Sequence, residues 1–530
     1  MPRTINAREL HDALYGTGEI ALIDVRPEAI FGANHILLAA NIPLGLLELR
    51  MADLVPRLSV SVVLCDGGEG LAELAAQRLA GLGYMDLSIL EGGMNAWGAA
   101  GLELFSGLYV PSKAFGEYVE HEYETPSVSA EELHQMMEQG ENMVVLDSRP
   151  MSEFTMMNIP TGIDMPGAEL VYRVQEAAPD PDTTIVVNCA GRTRSIIGAQ
   201  SLINAGIPNK VVALRNGTMG WHLAGYQLEH GNVRPPPPVS SEGGNLARQR
   251  SRAAADRFGV RRVDATTLDH WRSESAARTL YILDVRTIEE FEAGHIAGSR
   301  HAPGGQLVQS TDSFMATHRA RVVLVDPEMV RADMSASWLR QLGWEDVYVL
   351  ESALESQELE SGPRPSLLLG DLPAAELISP EDARQRVGAG TVFVDLTRSL
   401  DHRDNHPEGA RWGKRETLEG DLLAIGAPEV ILTAADVRLA ILAAGDLVDS
   451  GIHCMVIEGG SKAWEATGLP MAAGMGAPLA SLDDVYMRPY DKDAGKAEME
   501  RRMNAYLTWE VALVEQIGRA GGISFQSFRT

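Results

Sequence analysis

A strand-like pattern that ends in Asp-x-Arg occurs four times along the chain, and this repetition constrains the fold more than any other feature. The first three copies are residues 22–26, 145–149 and 282–286, and the fourth, residues 393–398, has one extra residue before the arginine. Copies separated by roughly a hundred residues or more predict an array of similar domains, because each copy can belong to one compact unit. We number these units one to four along the chain.

A second strand-like run follows each first one and ends in a residue to which we assign a common structural slot. Counted from the Asp of the repeat, the slot lies 41, 42, 42 and 38 residues along the chain in the four units. It holds, in order, Cys65, Cys189, Asp326 and Thr433. A glycine turn followed by tryptophan closes units one, two and four, at Trp97, Trp221 and Trp464. Unit three lacks this element, so the repeats have diverged.

The alternation of these strands with amphipathic segments predicts the fold class. Continuous apolar strands separated by helices favour a parallel sheet covered on both faces. We therefore expect an α/β chain of four tandem domains, each a small doubly wound parallel sheet with helices on both faces. The predicted domain boundaries are residues 5–105, 125–232, 259–360 and 374–473. A proline-rich linker is expected at 233–258 and a helical tail at 479–530.

Charge and cysteine content argue against several classes of function. The 530 residues carry a formal net charge of −28, opposite to the basic surface that nucleic-acid binding requires. No run of about 18 apolar residues occurs, so we expect no membrane association. Three cysteines are too few for a disulfide framework and indicate reduced thiols in the cytoplasm. Without a cluster of Cys, His and carboxylate residues, we expect neither a metal nor a cofactor.

The repeats resemble the rhodanese family. The Asp-x-Arg strand, the His-Ile-Ala-Gly-Ser run that begins at His295 and the glycine turn before tryptophan are hallmarks of that family. The resemblance, which covers about residues 5–473, implies an active loop between a strand and the following helix. It also implies transfer of sulfane sulfur, through a cysteine persulfide, from a small-molecule donor such as thiosulfate. The implied acceptor is cyanide, another thiophilic molecule or a protein.

Cys189 is the candidate nucleophile. It follows an apolar strand, and a helical run begins after Ala190, Gly191, Arg192, Thr193, Arg194 and Ser195, which we expect to bind the substrate. The backbone N–H groups of such a turn, the helix dipole and two arginines all favour an anion. We therefore expect the pKa of this thiol to lie below its free value. The glycine stands two residues after the cysteine, whereas active rhodanese loops often place it three residues after.

Two further residues are weaker candidates. Arg149, in the Asp-x-Arg motif of unit two, could bind anions, although the same motif in units without cysteine favours a structural ion pair. Cys65 is a candidate second site, but Asp66 and Glu69 in its loop should raise the thiol pKa and repel sulfur anions.

The other units are expected to be inactive. Asp326 and Thr433 cannot form a persulfide, so units three and four should not carry sulfur. Cys454 lies in a strand before a glycine turn, which is typical of a core residue.

Two other functions stay open at this point. Phosphatases of related fold use a Cys-x5-Arg loop, but Arg194 is the fifth residue after Cys189 rather than the sixth. A shorter loop suits one sulfur atom better than a phosphate group. Three degenerate units would also fit a non-catalytic scaffold or a sulfur relay.

Overall fold

Four parallel sheets with one common strand order form the centre of the chain. The computed structural model describes residues 2–352, 354–355, 357–388, 390–491, 495–523 and 525–528. Within each unit, the five parallel strands of the main sheet lie in the order 1-5-4-2-3 when they are numbered along the chain. Helices connect these strands, so the prediction of an α/β chain with parallel sheets is confirmed.

Units one and two follow this plan closely. The elements of unit one are β1 (Arg3–Ile5), α1 (Ala7–Leu14), β2 (Ile20–Asp24), α2 (Glu28–Ala33), β3 (Ala40–Asn41), α3 (Leu47–Leu54), β4 (Ser61–Cys65), α4 (Leu71–Gly81), β5 (Asp86–Leu90) and α5 (Gly93–Ala99). A helix between the units, α6 (Val110–Tyr123), precedes unit two. The elements of unit two are β6 (Ser127–Val128), α7 (Ala130–Gln139), β7 (Met143–Asp147), α8 (Met151–Met156), β8 (Ile163–Asp164), α9 (Glu169–Ala177), β9 (Thr184–Asn188), α10 (Thr193–Asn204), β10 (Val211–Leu214) and α11 (Gly217–Leu223).

Units three and four each add a short antiparallel strand pair. After α12 (Ser241–Arg257), unit three contains β11 (Arg261–Val263), α13 (Ala265–Ser273), β12 (Leu280–Asp284), α14 (Ile288–Ala293), β13 (His295–Ile296), β14 (Arg300–His301), α15 (Gly304–Gln309), β15 (Thr317–His318), β16 (Arg321–Val325), α16 (Val330–Leu342), β17 (Val347–Leu350) and β18 (Leu359–Glu360). Unit four contains β19 (Glu376–Ile378), α17 (Pro380–Arg386), β20 (Val392–Asp395), α18 (Ser399–Asp404), β21 (His406–Pro407), β22 (Arg411–Trp412), α19 (Leu418–Ala424), β23 (Glu429–Thr433), α20 (Val437–Asp446), β24 (His453–Ile457), α21 (Gly460–Ala466) and β25 (Met471–Ala472). The added pairs are β13 with β18 and β21 with β25, and α22 (Lys496–Ala520) follows.

Alternate residues of each central strand pack on opposite faces of the sheet, as strand geometry requires. In β9, Ile185 and Val187 belong to a core cluster that includes residues of α9 and α10. Val186 belongs to the opposite cluster, with Leu133 of α7 and Trp221 of α11. Because both faces carry an apolar layer, the strands read as continuous apolar runs. Ligand-binding sites of such sheets form in the loops at the carboxyl ends of the strands.

The Asp-x-Arg motif braces the end of the second strand of a unit. Arg149 donates from Nε and Nη2 to the two carboxylate oxygens of Asp147, at 2.9 and 2.7 Å, and from Nη2 to the carbonyl of Met157 at 2.6 Å. Arg26 and Arg286 make the corresponding bonds in units one and three. In unit four, His402 takes this place and its Nδ1 lies 2.8 Å from Asp395. The aspartate of the motif is therefore held in every unit, by the motif arginine in units one to three and by His402 in unit four.

The segments between units are structured and join them. Residues 241–257 of the predicted linker form α12, which packs against α9 of unit two and α16 of unit three. The second part of the predicted linker is therefore helical, because Ser240 caps a helix there and the small residues Ala247, Ser251 and Ala254 are buried. Strand β15 extends the sheet of unit one by pairing antiparallel with β2.

Helix α6 lies between α10 of unit two and α22 of the tail. This helix lies in residues 106–124, between the predicted domains 5–105 and 125–232. In the part of the chain that the structure describes, no helix has both the length and the apolar character needed to cross a membrane.

Candidate active site

Strand register places Cys189 and Cys65 at different positions of their units. In unit two, Asp147 pairs with Asn188, so Cys189 is the first residue beyond β9. In unit one, Asp24 pairs with Cys65 itself. The residue equivalent to Cys189 is therefore Asp66, and the slot assigned by counting residues is wrong for unit one.

The same register identifies the slot in the other two units. Asp284 pairs with Val325, so Asp326 occupies the slot as predicted. Asp395 pairs with Thr433, so the slot in unit four belongs to Ala434 rather than Thr433. A backbone N–H of the glycine turn donates to the slot carbonyl in three units, from Thr218 to Cys189 at 2.8 Å, from Met94 to Asp66 at 3.0 Å and from Ser461 to Ala434 at 3.0 Å.

Cys65 is a core residue. Its side chain is 0% exposed, packs in the cluster that contains Leu22 and Trp97, and has its Sγ 3.6 Å from the carbonyl oxygen of Ile23. Burial, followed by the nearby Asp24 carboxylate, raises the pKa of this thiol well above its ordinary value. The prediction of a candidate second site at Cys65 is therefore wrong, and Cys454 likewise packs against the core of unit four.

In units one and three, the slot residue is a carboxylate that the loop itself binds. Asp66 accepts hydrogen bonds from three backbone N–H groups, those of Gly68, Gly70 and Ala72, at 2.8 to 3.1 Å. Asp326 accepts from the N–H of Arg331 at 2.8 Å and from its guanidinium at 3.0 Å. A loop that begins at the slot can thus bind an anion, as expected of backbone N–H groups that converge before a helix.

In unit two, the slot carries the thiol of Cys189 where α10 begins. The side chain is 2% exposed, and its Sγ lies 3.6 Å from the hydroxyl oxygen of Ser195. Burial raises the pKa of this thiol above its ordinary value, and the Glu510 carboxylate adds to that effect. Arg194 and Ser195 act in the opposite direction. The prediction of a lowered pKa is therefore wrong, because burial outweighs the positive charge.

The two loop arginines have different partners. Arg192 binds Glu117 through Nε and Nη2, at 2.7 and 2.8 Å, and also contacts Glu120, so two carboxylates of α6 share its charge. Arg194 binds both oxygens of Glu153, at 3.0 and 2.8 Å, and lowers the pKa of Cys189 by its charge. Of the two arginines, Arg194 is the one that favours an ionised thiol.

The remaining predicted residues position the loop. Gly191 is closely packed, because a Cβ there would lie 3.0 Å from Met219 Cε and 3.1 Å from Glu510 Oε2. The Thr193 hydroxyl donates to Glu510 Oε1 at 2.7 Å, and the carbonyl of Ala190 accepts from the N–H of Met219. The glycine two residues after the cysteine is thus matched to the neighbours of this loop.

Arg149 does not belong to the site. It is 0% exposed, and both its Nε and its Nη2 are used by Asp147. The prediction that Arg149 binds the substrate is wrong, because the side chain braces β7.

Side chains that sequence analysis missed reach the site from α6 and α22. Lys113 of α6 is 8% exposed and lies over the rings of Tyr506 and Trp509, 4.7 and 4.8 Å from their centroids. Glu510 of α22 is 1% exposed and contacts the loop through Thr193. These segments lie outside the repeats, so the repeat pattern could not reveal them. One signal was available, because Glu510 is the single carboxylate on the face that Met503, Leu507, Leu513 and Ile517 form.

A cavity of about 880 Å³ opens onto the Cys189 loop. Its wall includes Arg50 of unit one, Gln306 of unit three, Lys414 of unit four and Tyr490 of the tail. This volume is in the range of sites for small organic molecules. Within the described ranges, no group of three or more Cys, His, Asp and Glu side chains converges as a metal site requires.

Comparison with known proteins places these features in context. The profile of the rhodanese-like domain matches residues 6–100, 129–224 and 265–357, which together make up more than half of the chain. The chain is 47% identical to a thiosulfate sulfurtransferase from Pseudomonas aeruginosa whose crystal structure is known. The match covers 99% of both chains with a TM-score of 0.94.

A curated relative matches over a short part of the chain. It is the HTH-type transcriptional regulator Rv0324 of Mycobacterium tuberculosis, which is 36% identical over 90 residues. These residues are 17% of this chain, and the match spans about two fifths (39%) of the length of that relative.

Proposed function

The chain belongs to the rhodanese family of sulfurtransferases, and from this premise we propose that Cys189 carries sulfur as a persulfide. The donor is thiosulfate or a similar small molecule, and the acceptor is cyanide, a thiol or a protein thiol. The similarity over nearly the whole chain to a thiosulfate sulfurtransferase supports this donor. The three cysteines are free thiols, which supports a reducing, cytoplasmic setting.

One observation carries the assignment of Cys189. Units one and three place a carboxylate at the slot, and the loop binds it. In unit three, Arg331, the fifth residue after the slot, lies 3.0 Å from that carboxylate. Arg194 has the same place in unit two, five residues after Cys189. A thiolate or persulfide at Cys189 would therefore occupy a position built for an anion.

The first step loads the cysteine. The Cys189 thiolate attacks the outer sulfur of thiosulfate, a bond forms between the two sulfurs, and the S–S bond of thiosulfate breaks. Sulfite leaves with the electron pair of that bond. Arg194 and the amino end of α10 favour the thiolate and the negative charge of the bound donor.

The second step unloads it. Cyanide or a thiol attacks the outer sulfur of the persulfide, the bond to Cys189 Sγ breaks, and the thiolate is regenerated. The loop needs no neighbouring histidine for release of the sulfur, because Cys189 leaves as a stable thiolate that needs no proton.

We infer that all four units are rhodanese-like domains and that unit two alone carries sulfur. The common strand order supports the inclusion of unit four, which the family profile does not match. The slot residues of the other units are Asp66, Asp326 and Ala434, and none of them carries a thiol. The inactive units contribute walls to the cavity beside Cys189. Helix α12 packs against units two and three, and β15 joins unit three to unit one. Because the inactive units shape the cavity of unit two, they fit an enzyme with degenerate domains better than a non-catalytic scaffold. The family assignment favours sulfur transfer over phosphatase activity.

Mass spectrometry of the intact protein tests the proposal. After treatment with thiosulfate and removal of excess reagent, we expect one added sulfur atom, located by peptide mapping at Cys189. Addition of cyanide should remove it and release thiocyanate. Sulfur found on Cys65 or Cys454, or on no cysteine, would contradict the assignment.

Arg194→Ala is expected to weaken the first step. Loss of a charge-assisted contact to an anion costs roughly 1.5–3 kcal/mol, which corresponds to a fall of about 10- to 150-fold in kcat/KM for thiosulfate. The Cys189 thiol should also react more slowly with iodoacetamide at a given pH, because Arg194 lowers its pKa. Arg215→Ala removes an exposed arginine and is the matched control. Equal values of kcat/KM for the Arg194 and Arg215 variants would rule out this role.

A further inference from the structure

Glu510 is a buried carboxylate that the two steps above do not use. One oxygen, Oε1, accepts the hydrogen bond of the Thr193 hydroxyl at 2.7 Å. The other, Oε2, is buried and accepts no hydrogen bond within the described part of the chain. Burial of a carboxylate with an unused oxygen costs free energy. An uncompensated group of this kind beside a reactive loop points to a function.

The unused oxygen faces the loop that carries Cys189. A Cβ added to Gly191 would lie 3.1 Å from Glu510 Oε2. Glu510, Gly191 and Cys189 line the same cavity. A molecule that enters this cavity to reach Cys189 can therefore present a proton to Oε2.

The charged and titratable neighbours of Glu510 come from three elements. They are Lys113 and Glu117 of α6, Cys189 and Arg192 of the loop, and Tyr506 of α22. Burial lowers the pKa of Lys113 to about 8, and Glu510 opposes that shift. Arg192 is already paired with Glu117, so Glu510 keeps an oxygen free for a proton.

We propose that Glu510 is the proton acceptor for thiol acceptors in the second step. The proposal rests on the function proposed above. A neutral thiol, RSH, gives its proton to Glu510, and its sulfur attacks the outer sulfur of the Cys189 persulfide anion that the first step forms. A new S–S bond forms in RSS⁻, the S–S bond of the persulfide breaks, and its electron pair stays on Cys189 as the thiolate. The proton then passes from Glu510 to RSS⁻, which leaves as RSSH, so the Glu510 carboxylate and the Cys189 thiolate are both restored.

Cyanide provides a comparison when its rate is expressed per concentration of the cyanide anion, because hydrogen cyanide predominates near neutral pH and the anion attacks without losing a proton. A group that accepts a proton from the acceptor should therefore matter for thiols and not for cyanide. A residue that only shapes the loop should matter for both. The ratio of the two rates separates these roles.

Glu510→Gln in the full chain tests the proposal, with dithiothreitol and cyanide as the two acceptors. Glutamine retains an oxygen for the Thr193 hydroxyl but cannot accept a proton. We expect the rate of persulfide removal by dithiothreitol near neutral pH to fall about 100-fold, the lower end for loss of a general base. Thiocyanate formation should not fall, because loss of the Glu510 charge removes a group that raises the pKa of the Cys189 thiol. The deficit with dithiothreitol should shrink as the pH rises past the pKa of the thiol itself, since the thiolate needs no base.

Two further variants complete the test. Glu515→Gln changes a carboxylate on the same helix that is 83% exposed, and it should leave both rates unchanged. Glu510→Asp keeps a carboxylate and should retain part of the dithiothreitol rate. It therefore tests the proposal even where the glutamine variant folds poorly. Equal losses with both acceptors, or no loss with dithiothreitol, would overturn the proposal. Glu510→Gln should still gain sulfur from thiosulfate. If the unmodified protein gained no sulfur from thiosulfate, the proposed function itself would be refuted, and not only the role of Glu510.

Discussion

Cys189→Ser is expected to abolish thiocyanate formation from thiosulfate and cyanide. Serine keeps the size of the side chain, but its hydroxyl is a poor nucleophile without a base and cannot hold a transferable sulfur. Loss of the nucleophile in a covalent mechanism costs on the order of 10⁶ in rate. The measurement is a thiocyanate assay, together with intact mass after thiosulfate treatment, in which the variant should gain no sulfur.

Cys65→Ser and Cys454→Ser are the matched controls, and both should retain most of the activity. Cys65 lies in the apolar core, so its replacement should lower stability rather than remove a reactive group. Cys454 lies in β24 of unit four, away from the Cys189 loop. An active Cys189→Ser together with an inactive Cys65→Ser would reverse the assignment of units.

Much of the fold could be predicted because the repeated Asp-x-Arg motif has a structural role. The Asp-x-Arg ion pair must stand at the end of the second strand of a unit, so its spacing marks the strand. Continuous apolar runs then indicate strands buried on both faces. In unit four, His402 contacts Asp395 in place of the motif arginine. The strand is still recognisable there from its apolar run.

The slot was harder to predict, because residue counts do not measure register. Cys65 lies 41 residues after its repeat aspartate and Cys189 lies 42 after its own, so the count alone suggests equivalent positions. The sheet instead pairs Asp24 with Cys65, which leaves Asp66 at the slot. A slip of one residue reverses the face on which a side chain lies. This explains why Cys65 points into the core while Cys189 lies at the loop.

The walls of the site could not be predicted from the repeats. Lys113, Glu117 and Glu510 belong to helices outside the repeated pattern, and only tertiary packing brings them to the Cys189 loop. The pKa of the Cys189 thiol shifts opposite to the predicted direction, because burial of the thiol outweighs Arg194. The positive charge near the thiol can be read from the sequence, whereas the depth at which the thiol is buried depends on tertiary packing.

Arg192→Met is expected to give the largest loss of stability among the loop variants. Its guanidinium bonds both oxygens of Glu117, which is 0% exposed, and also contacts Glu120. Removal of one partner of a buried ion pair leaves an uncompensated charge and costs about 3–5 kcal/mol. We expect a lower midpoint for the first thermal unfolding transition, because a chain of several domains need not unfold in one step.

A triple variant separates the charge from the packing. Adding Glu117→Gln and Glu120→Gln to Arg192→Met removes the stranded carboxylates, and most of the lost midpoint should return. An unchanged loss in the triple variant would show that the methionine, rather than unpaired charge, disturbs the loop. Because α6 holds the Cys189 loop through Arg192, the single variant should also lose activity with thiosulfate and with cyanide alike. Glu510→Gln should instead lower activity with thiol acceptors alone, so the two residues are distinguished by the acceptor on which activity is lost.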